Sequence, residues 1–293
     1  MDRLLRSKAT IALFVGPALA VFVAFGLVPI AQNLVLSLYR TDLMSPATFL
    51  GIGNYQNLFK DSIFLKALRN NLFLVIGSFV AHMPLALLLA NILFNRVKGS
   101  KFFQSVFFLP CVVCGVAVGL TWTFIYNSEF GMVNQLLDLL NASGLKHQWL
   151  SEENTVMIAI IVVVMWQFVG YHMVIQLAAM RGIPGELYEA ARIDGASGWG
   201  QFRNITWPLI KPVLKVDAVL IVTGSLKYFD LVFAMTKGGP NHASEVMSTY
   251  MYYQAFRTMK YGYASAIGNI LLLLCVAAIV LSNYVFRSEK IEY

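Results

Sequence analysis

Charge is scarce in this chain. Asp, Glu, Lys and Arg make up only 13% of its 293 residues, about half the share usual in soluble domains. So few charges cannot clothe a soluble globule of this size, but they suit a surface that faces lipid, where charged side chains are costly. Cysteine is nearly absent, with three residues. Cys111 and Cys114 have the spacing of half a zinc or redox site, yet they lie in an apolar run with no second ligand pair nearby. They read, with Cys275, as small membrane-buried thiols. No linker, low-complexity tract or short repeat divides the chain, and no Gly-x-x-x-x-Gly-Lys-Ser/Thr phosphate loop occurs in it.

What is abundant is apolar. Hydrophobic residues reach 58% and mean hydropathy is +0.67. Six apolar segments stand out, near 10–37, 71–94, 102–126, 155–179, 209–235 and 263–286. Each is about long enough to cross the hydrocarbon core, which takes roughly 20 residues. The first follows a basic N-terminus but is too long for a signal-peptide core and is closed by no small-residue cleavage site, so it reads as a retained helix. This organises the chain as an N-tail and first span (1–38), an extracytoplasmic segment (39–70), a transmembrane core (71–286) and a C-tail (287–293).

The net charge of +7 reads first as a topology signal. With the N-terminus inside, cytoplasmic loops and tails hold thirteen cations: Arg3, Arg6 and Lys8; Arg96, Lys98 and Lys101; Arg181, Arg192, Arg203, Lys211 and Lys215; Arg287 and Lys290. Eight fall outside (Arg40, Lys60, Lys66, Arg69, Lys146, Lys237, Arg257, Lys260), and Lys227 lies within a span. The positive-inside bias puts both termini in the cytoplasm, and 180–208 becomes the longest cytoplasmic connection.

That connection has legible local physics. Pro184 suits the first turn of a helix, and Glu186 and Glu189 suit its positive N-terminal end. Asp194-Gly195 marks a sharp turn, where Gly takes a positive φ. A second short helix is expected from about Ser197 to Ile205, stopping before Pro208. The spacing alone describes an amphipathic hairpin lying on the membrane face.

The particular residues say more. Glu189-Ala-Ala-x-x-Asp194-Gly-Ala196, followed by Phe202, Ile205, Pro208 and Pro212, closely resembles the EAA loop of binding-protein-dependent ABC importer permeases. Gly51-Ile-Gly-Asn-Tyr-Gln-Asn-Leu-Phe59, Phe229-Asp230, Thr236-Lys-Gly-Gly-Pro240 and Tyr261-Gly-Tyr-Ala-Ser-Ala266 are similar to segments of the sugar-type branch, in its maltose-permease-like first subunit. The large extracytoplasmic insertion and extra N-terminal helices of the maltose permease proper are absent, which speaks against maltose itself.

The resemblance implies an all-α integral membrane protein of about six transmembrane helices, with the type I importer permease fold and cytoplasmic coupling helices. It implies a transport subunit without catalysis of its own, in the bacterial inner membrane. Glu189, Ala190, Ala191, Asp194 and Gly195 would couple it to a separate ATPase that binds ATP and Mg. Two such ATPase subunits, a second homologous permease and an extracytoplasmic solute-binding protein are the expected partners, and nucleic acid is not. The solute would be a sugar or oligosaccharide; the alternatives are a glycerol phosphate, polyol, amino acid or peptide, or a secondary carrier. No cofactor or metal is expected in the chain.

A sugar site needs aromatic faces and short polar groups. The fourth span offers Trp166, Gln167 and Tyr171, and the fifth Gly224, Ser225, Lys227 and Tyr228. Resemblance to the maltose-type permease places Tyr171, Ser225 and Tyr228 at sugar-facing positions. Helical spacing puts Gly224, Ser225 and Tyr228 on one face. Each has a plainer reading: Tyr as an interface anchor, Ser bonded to its own backbone, and Lys227 paired with Asp230 along one helix. His82 and His172 read as packing against neighbouring helices. An intramembrane enzyme would need a catalytic set, and His82, His172, Asp217 and Asp230 show no spacing that makes one.

Overall fold

The computed structural model describes residues 8–95 and 97–285. The tail positions Arg3, Arg6, Arg287 and Lys290, the C-tail 287–293, and Arg96 lie outside the described residues. Among the described residues, four helices are long and apolar enough to span a membrane, and six spans result if each of two bent helix pairs counts as one. The chain forms two compact units, one built from the segment ending at Asp61 plus Met251–Ile270, the other from Ser62–Tyr250 plus the stretch from Leu271 onward.

In the first unit, α1 (Lys8–Phe22) runs through a π turn (Val23–Leu27) into α2 (Val28–Leu36). Its apolar side chains are exposed, as lipid contact requires. A two-residue hairpin, β1 (Tyr39–Arg40) with β2 (Thr48–Phe49), and the short α3 (Gly53–Leu58) follow. The Gly51–Phe59 segment is pinned by side chains. Asn54 Nδ2 donates to the carbonyls of Ser37 (2.7 Å) and Tyr39 (2.9 Å). Asn269 Nδ2 donates to Tyr55 Oη at 2.9 Å, and its Oδ1 accepts from Asn33 at 2.7 Å.

The second unit is built on α4 (Ser62–Phe94) and α8 (Val156–Arg181). At 33 residues, α4 is about 50 Å long, well beyond a hydrocarbon core of roughly 30 Å. It starts at Ser62 rather than near 71, so helix replaces the last part of the polar stretch 39–70. Two further departures come from breaks within spans. The 102–126 segment is α5 (Ser100–Val112) and α6 (Gly115–Ile125), bent by 97°. The 209–235 segment is α11 (Trp207–Leu226) and α12 (Asp230–Thr236), bent by 41°. Apolar windows do not register these bends, because both halves of each span are apolar.

Between these elements lie α7 (Met132–Leu139), a 3₁₀ turn (Ser143–Leu145), α9 (Gly185–Ile193) and α10 (Gly198–Gln201). The last two helices are α13 (Met247–Phe256) and α14 (Tyr261–Val285), which each pass from one unit to the other.

Small residues set the packing of the second unit. Ala86 and Ala90 are fully buried on α4 in one cluster with Val169, Met173, Leu177 and Met180 of α8 and Ile210 and Leu214 of α11. Small side chains at four-residue spacing let membrane helices approach closely. Gly170 is the extreme case, since a Cβ there would lie 1.8 Å from the carbonyl oxygen of Phe107.

Candidate functional site

The 180–208 connection carries α9 and α10. Pro184 is the residue before α9, with Glu186 in the first turn and Arg192 in the last, an order that complements the helix dipole. The helix ends in a Schellman motif. The Ala196 N–H donates to the Ala191 carbonyl at 2.8 Å, the Gly195 N–H donates to the Arg192 carbonyl at 3.1 Å, and Gly195 has φ +76°. One face of α9 is anchored. Tyr188 is buried against Phe94, and its hydroxyl lies 2.9 Å from Thr206 Oγ1. Burial pushes the Tyr188 phenol up, and its bond to Thr206 opposes this.

The opposite face is bare. Glu189, Ala190, Asp194 and Gly195 are exposed, Ala191 is partly covered, and Ile193 is 88% exposed at the tip. Sequence reasoning missed Ile193. Its signal was an isoleucine at the exposed end of a short amphipathic helix. A cavity of about 610 Å³, lined by Asn91, Asn95, Glu189, Arg192 and Trp199 among others, opens between this loop and the end of α4.

The second short helix does not stop before Pro208. Ser197 caps α10, accepting from the Gly200 N–H at 3.2 Å. The helix then passes through a π turn (Phe202–Thr206) straight into α11. Proline removes an N–H that a regular helix would use. The π turn shifts the pairing, so that Trp207 N–H donates to the Phe202 carbonyl, and the helix absorbs the proline.

The solute candidates are dispersed. Gln167 is buried and spends both ends of its amide internally. Its Nε2 donates to the Val113 carbonyl at the α5–α6 break (3.1 Å), and its Oε1 accepts from Tyr228 Oη (3.1 Å). Broken helix in a membrane is tolerated only where its backbone is satisfied or faces water, and Gln167 supplies that at Val113. Tyr228 is therefore tied to α8 rather than free. Ser225 is buried, and its carbonyl accepts from Asn71 at 3.4 Å. Gly224 is exposed and faces open space, so Gly224, Ser225 and Tyr228 do not present one common face. Trp166 is 42% exposed and packs edge-to-face on Trp122. Tyr171 is half-buried beside His172.

The expected Lys227–Asp230 pair is not formed. Among the described residues no ion pair joins them, because α11 ends at Leu226 and α12 begins at Asp230. The two residues sit on either side of a break, and helical i, i+3 spacing does not apply. A polar contact that spacing did not reveal is His172 with Asp217. His172 Nδ1 lies 2.7 Å from Asp217 Oδ1, Gln176 Nε2 donates to Asp217 Oδ2 at 2.7 Å, and all three are buried. His82 packs at a tilt against His172 and reaches the Val164 carbonyl at 3.2 Å. The available signal was four polar side chains in otherwise apolar spans.

The Thr236–Gly-Gly-Pro240 segment closes a tight loop at the opposite end of α4 from the 180–208 connection. Thr236 Oγ1 and Ser244 Oγ are 2.7 Å apart, and Ser244 Oγ donates to the Gly239 carbonyl at 2.6 Å. Asn70 Nδ2 donates to the His242 and Glu245 carbonyls, and Lys66 Nζ to the Asn241 carbonyl at 2.6 Å. Gly238 has φ +91°, and a Cβ there would lie 2.4 Å from Glu245 Oε2.

The overall fold is shared with solved structures. A crystal structure of a bacterial alginate ABC transporter, in complex with an alginate pentasaccharide-bound periplasmic protein, contains a chain that superposes with a TM-score of 0.82 at 24% identity, covering 98% of this chain and 96% of that one. The probable ABC transporter permease protein YurN of Bacillus subtilis (strain 168) is 41% identical over 283 residues, 96% of this chain and 97% of its own. The lactose transport system permease protein LacF of Rhizobium radiobacter is 34% identical over 282 residues, 95% and 94% of the two chains. Residues 66–290 match the model of the binding-protein-dependent transport system inner membrane component, and the chain belongs to that family. It is a multi-pass permease subunit of an ABC transporter, whose ATP hydrolysis belongs to a separate subunit.

Proposed function

We propose that this permease forms, with a second homologous permease, the membrane pathway for a sugar or oligosaccharide delivered by an extracytoplasmic binding protein. Two ATPase subunits, which bind the ATP and Mg, dock on the 180–208 loop, and both termini lie in the cytoplasm. The observation that carries this reading is the two-sided α9. Tyr188 anchors one face to the membrane helices, while Glu189, Ala190 and Ile193 stand exposed on the other. Small Ala190 and Ala191 let a partner groove close, the Gly195 turn sets the angle, and Ile193 is the apolar knob that enters the groove. Likeness to the lactose permease of R. radiobacter supports a saccharide, with Tyr171, Trp166 and the open space at Gly224 as contacts. Gln167, Ser225 and Tyr228 support them from behind, and Lys227 stays outside the contact with a neutral sugar.

The test is co-expression with the neighbouring permease, ATPase and binding-protein genes, followed by weighing the gently solubilised complex. A mass of two permeases with two ATPases is expected. Ile193→Asp should release the ATPases while leaving the permeases inserted. A stable, transport-active homodimer without ATPase would refute the reading. Uptake of radiolabelled lactose and a panel of neutral disaccharides into vesicles tests the solute class.

A further inference from the structure

Asp217 is the one carboxylate that is fully buried within a span among the described residues. Both of its oxygens are engaged, by two side chains one turn apart on a different helix: His172 at 2.7 Å and Gln176 at 2.7 Å. The two helices concerned are α8, which enters the 180–208 loop, and α11, which leaves it. Between this contact and the loop, α8 and α11 share one apolar cluster through Leu177, Met180, Ile210 and Leu214. On the other side of it, Gln167 of α8 reaches the break at Val113–Cys114, and Tyr228 joins Gln167 from the break that follows α11.

Apolar packing between α8 and α11 is close but supplies no directional bond, so a small relative shift or rotation can be absorbed by repacking. A carboxylate held at both oxygens cannot follow such a shift without becoming a buried, unpartnered charge, which is strongly disfavoured. We infer that Asp217, His172 and Gln176 are positioning residues that lock α8 and α11 into a single lever, carrying movement of the 180–208 loop to the two helix breaks at Val113–Cys114 and Lys227–Phe229. The breaks, which lack a continuous backbone ladder, are the parts that yield. The inference rests on the proposed role of the loop as the coupling element.

The amide of Gln176 allows a discriminating variant. Gln176 Oε1 is buried with no hydrogen-bond partner among the described residues. In Asp217→Asn the new amide keeps an oxygen for His172, and a reversed Gln176 amide offers Oε1 to the new N–H₂. The clamp then survives without its charge, whereas Asp217→Leu abolishes it.

Cys114 stands exposed at the first break and serves as a native reporter once Cys111 and Cys275 are replaced by alanine. In the reconstituted complex, its rate of modification by N-ethylmaleimide is measured with and without ATP plus vanadate. The parent should show an ATP-dependent change of about fivefold or more, the lower end of ordinary coupling. Asp217→Leu should lose that change while still co-purifying with the ATPases and hydrolysing ATP, and Asp217→Asn should restore it. If Asp217→Leu does not assemble, Gln176→Leu, which removes one arm, should show a reduced change. An unaltered Cys114 response in Asp217→Leu, or in Gln176→Leu where that replaces it, overturns the lever. So does a parent whose Cys114 ignores ATP, or an assembled Asp217→Asn as defective as Asp217→Leu. Gly195→Val run in parallel separates the two proposals. If it keeps the full response, the loop is not the coupling element. If it loses the response while Asp217→Leu keeps it, the clamp alone is wrong.

Discussion

Two loops lie at opposite ends of α4, and they are built on opposite principles. The 236–246 loop is stitched into the protein by its own hydroxyls and by Lys66 and Asn70 of α4. The 180–208 loop is anchored through Tyr188, Ile183 and Phe202, and turns most of its other side chains outward. Both depend on a glycine with positive φ, Gly238 at +91° and Gly195 at +76°. A Cβ at Gly238 would strike Glu245, while a Cβ at Gly195 would meet nothing within 4 Å. The first loop has spent its bonding capacity on the fold; the second has kept its surface for something else.

The comparison is most exposed to failure at Gly195. Gly195→Val strains the turn and changes the angle of α9 without touching the core. The protein should insert and melt normally, while ATP-driven uptake falls about 5- to 150-fold, the span of ordinary coupling free energies. Ala191→Trp should do the same by overfilling the docking face. Uptake and ATPase co-purification at parental levels in both variants would erase the distinction between the loops. Gly238→Val should fail in the opposite way. Strain plus a clash with Glu245 should cost about 1–3 kcal/mol of stability, read as a lower melting temperature in detergent. An unchanged melting temperature would mean that the stitched loop is not structural.

A smaller effect is expected at Tyr171. Tyr171→Ala should lower disaccharide uptake about fivefold, the worth of one aromatic contact near 1 kcal/mol, with assembly intact. Parental uptake would place the sugar elsewhere. Lys227→Met should keep uptake of a neutral sugar within about twofold, since its charge is exposed and joins no ion pair among the described residues. A collapse with a neutral sugar would give Lys227 a direct role.

The last expectation concerns pH and the segment that braces the stitched loop. Hydrogen bonds from Lys146 and Ser143 hold the Asp138 carboxyl below its usual value of 3.8. The Gln148 N–H and His147 do so for Glu152, and Asn241 with Lys66 for Glu153, both below 4.5. Depressed carboxylates stabilise the folded form above the ordinary carboxylate range, and that contribution drains away as pH falls through the lowered values. Trp149, whose Nε1 donates to Asn134 in the same segment, reports on this. In a His147→Gln variant, which removes the imidazole packed on Trp149, its fluorescence should hold steady between about pH 7 and 5 and shift only below about 4. A shift near neutral pH would contradict the assignment.

Much of the fold was legible because lipid imposes one strong rule. Segments that cross must be apolar and helical, so the segments near 10–37 and 155–179 correspond closely to the Ala12–Leu36 and Val156–Arg181 spans. The turn at Asp194-Gly195 was legible because Gly tolerates positive φ. The π turn that absorbs Pro208 was not, since a local rule for proline does not see that pairing can shift by one residue. The Lys227–Asp230 pair was misread for a related reason: spacing along a helix means nothing once the helix breaks. Gln167 was a sugar candidate from its place in a span and Tyr228 from resemblance to the maltose-type permease; the bond between them at the break is invisible in an apolar window.

The sequence by itself determined that this chain lives in a membrane, which segments cross it, and that residues 180–208 form an exposed helical connection bearing the EAA pattern. Composition and local backbone preference carry that information, and both act between neighbours in the chain. Only the tertiary structure decided where the spans bend, which polar side chains meet across 45 or 61 residues of sequence, as His172 meets Asp217 and Gln167 meets Tyr228, and which face of α9 is left bare. Those outcomes depend on which groups find partners once helices pack, and in a medium without water a backbone group left without one is costly.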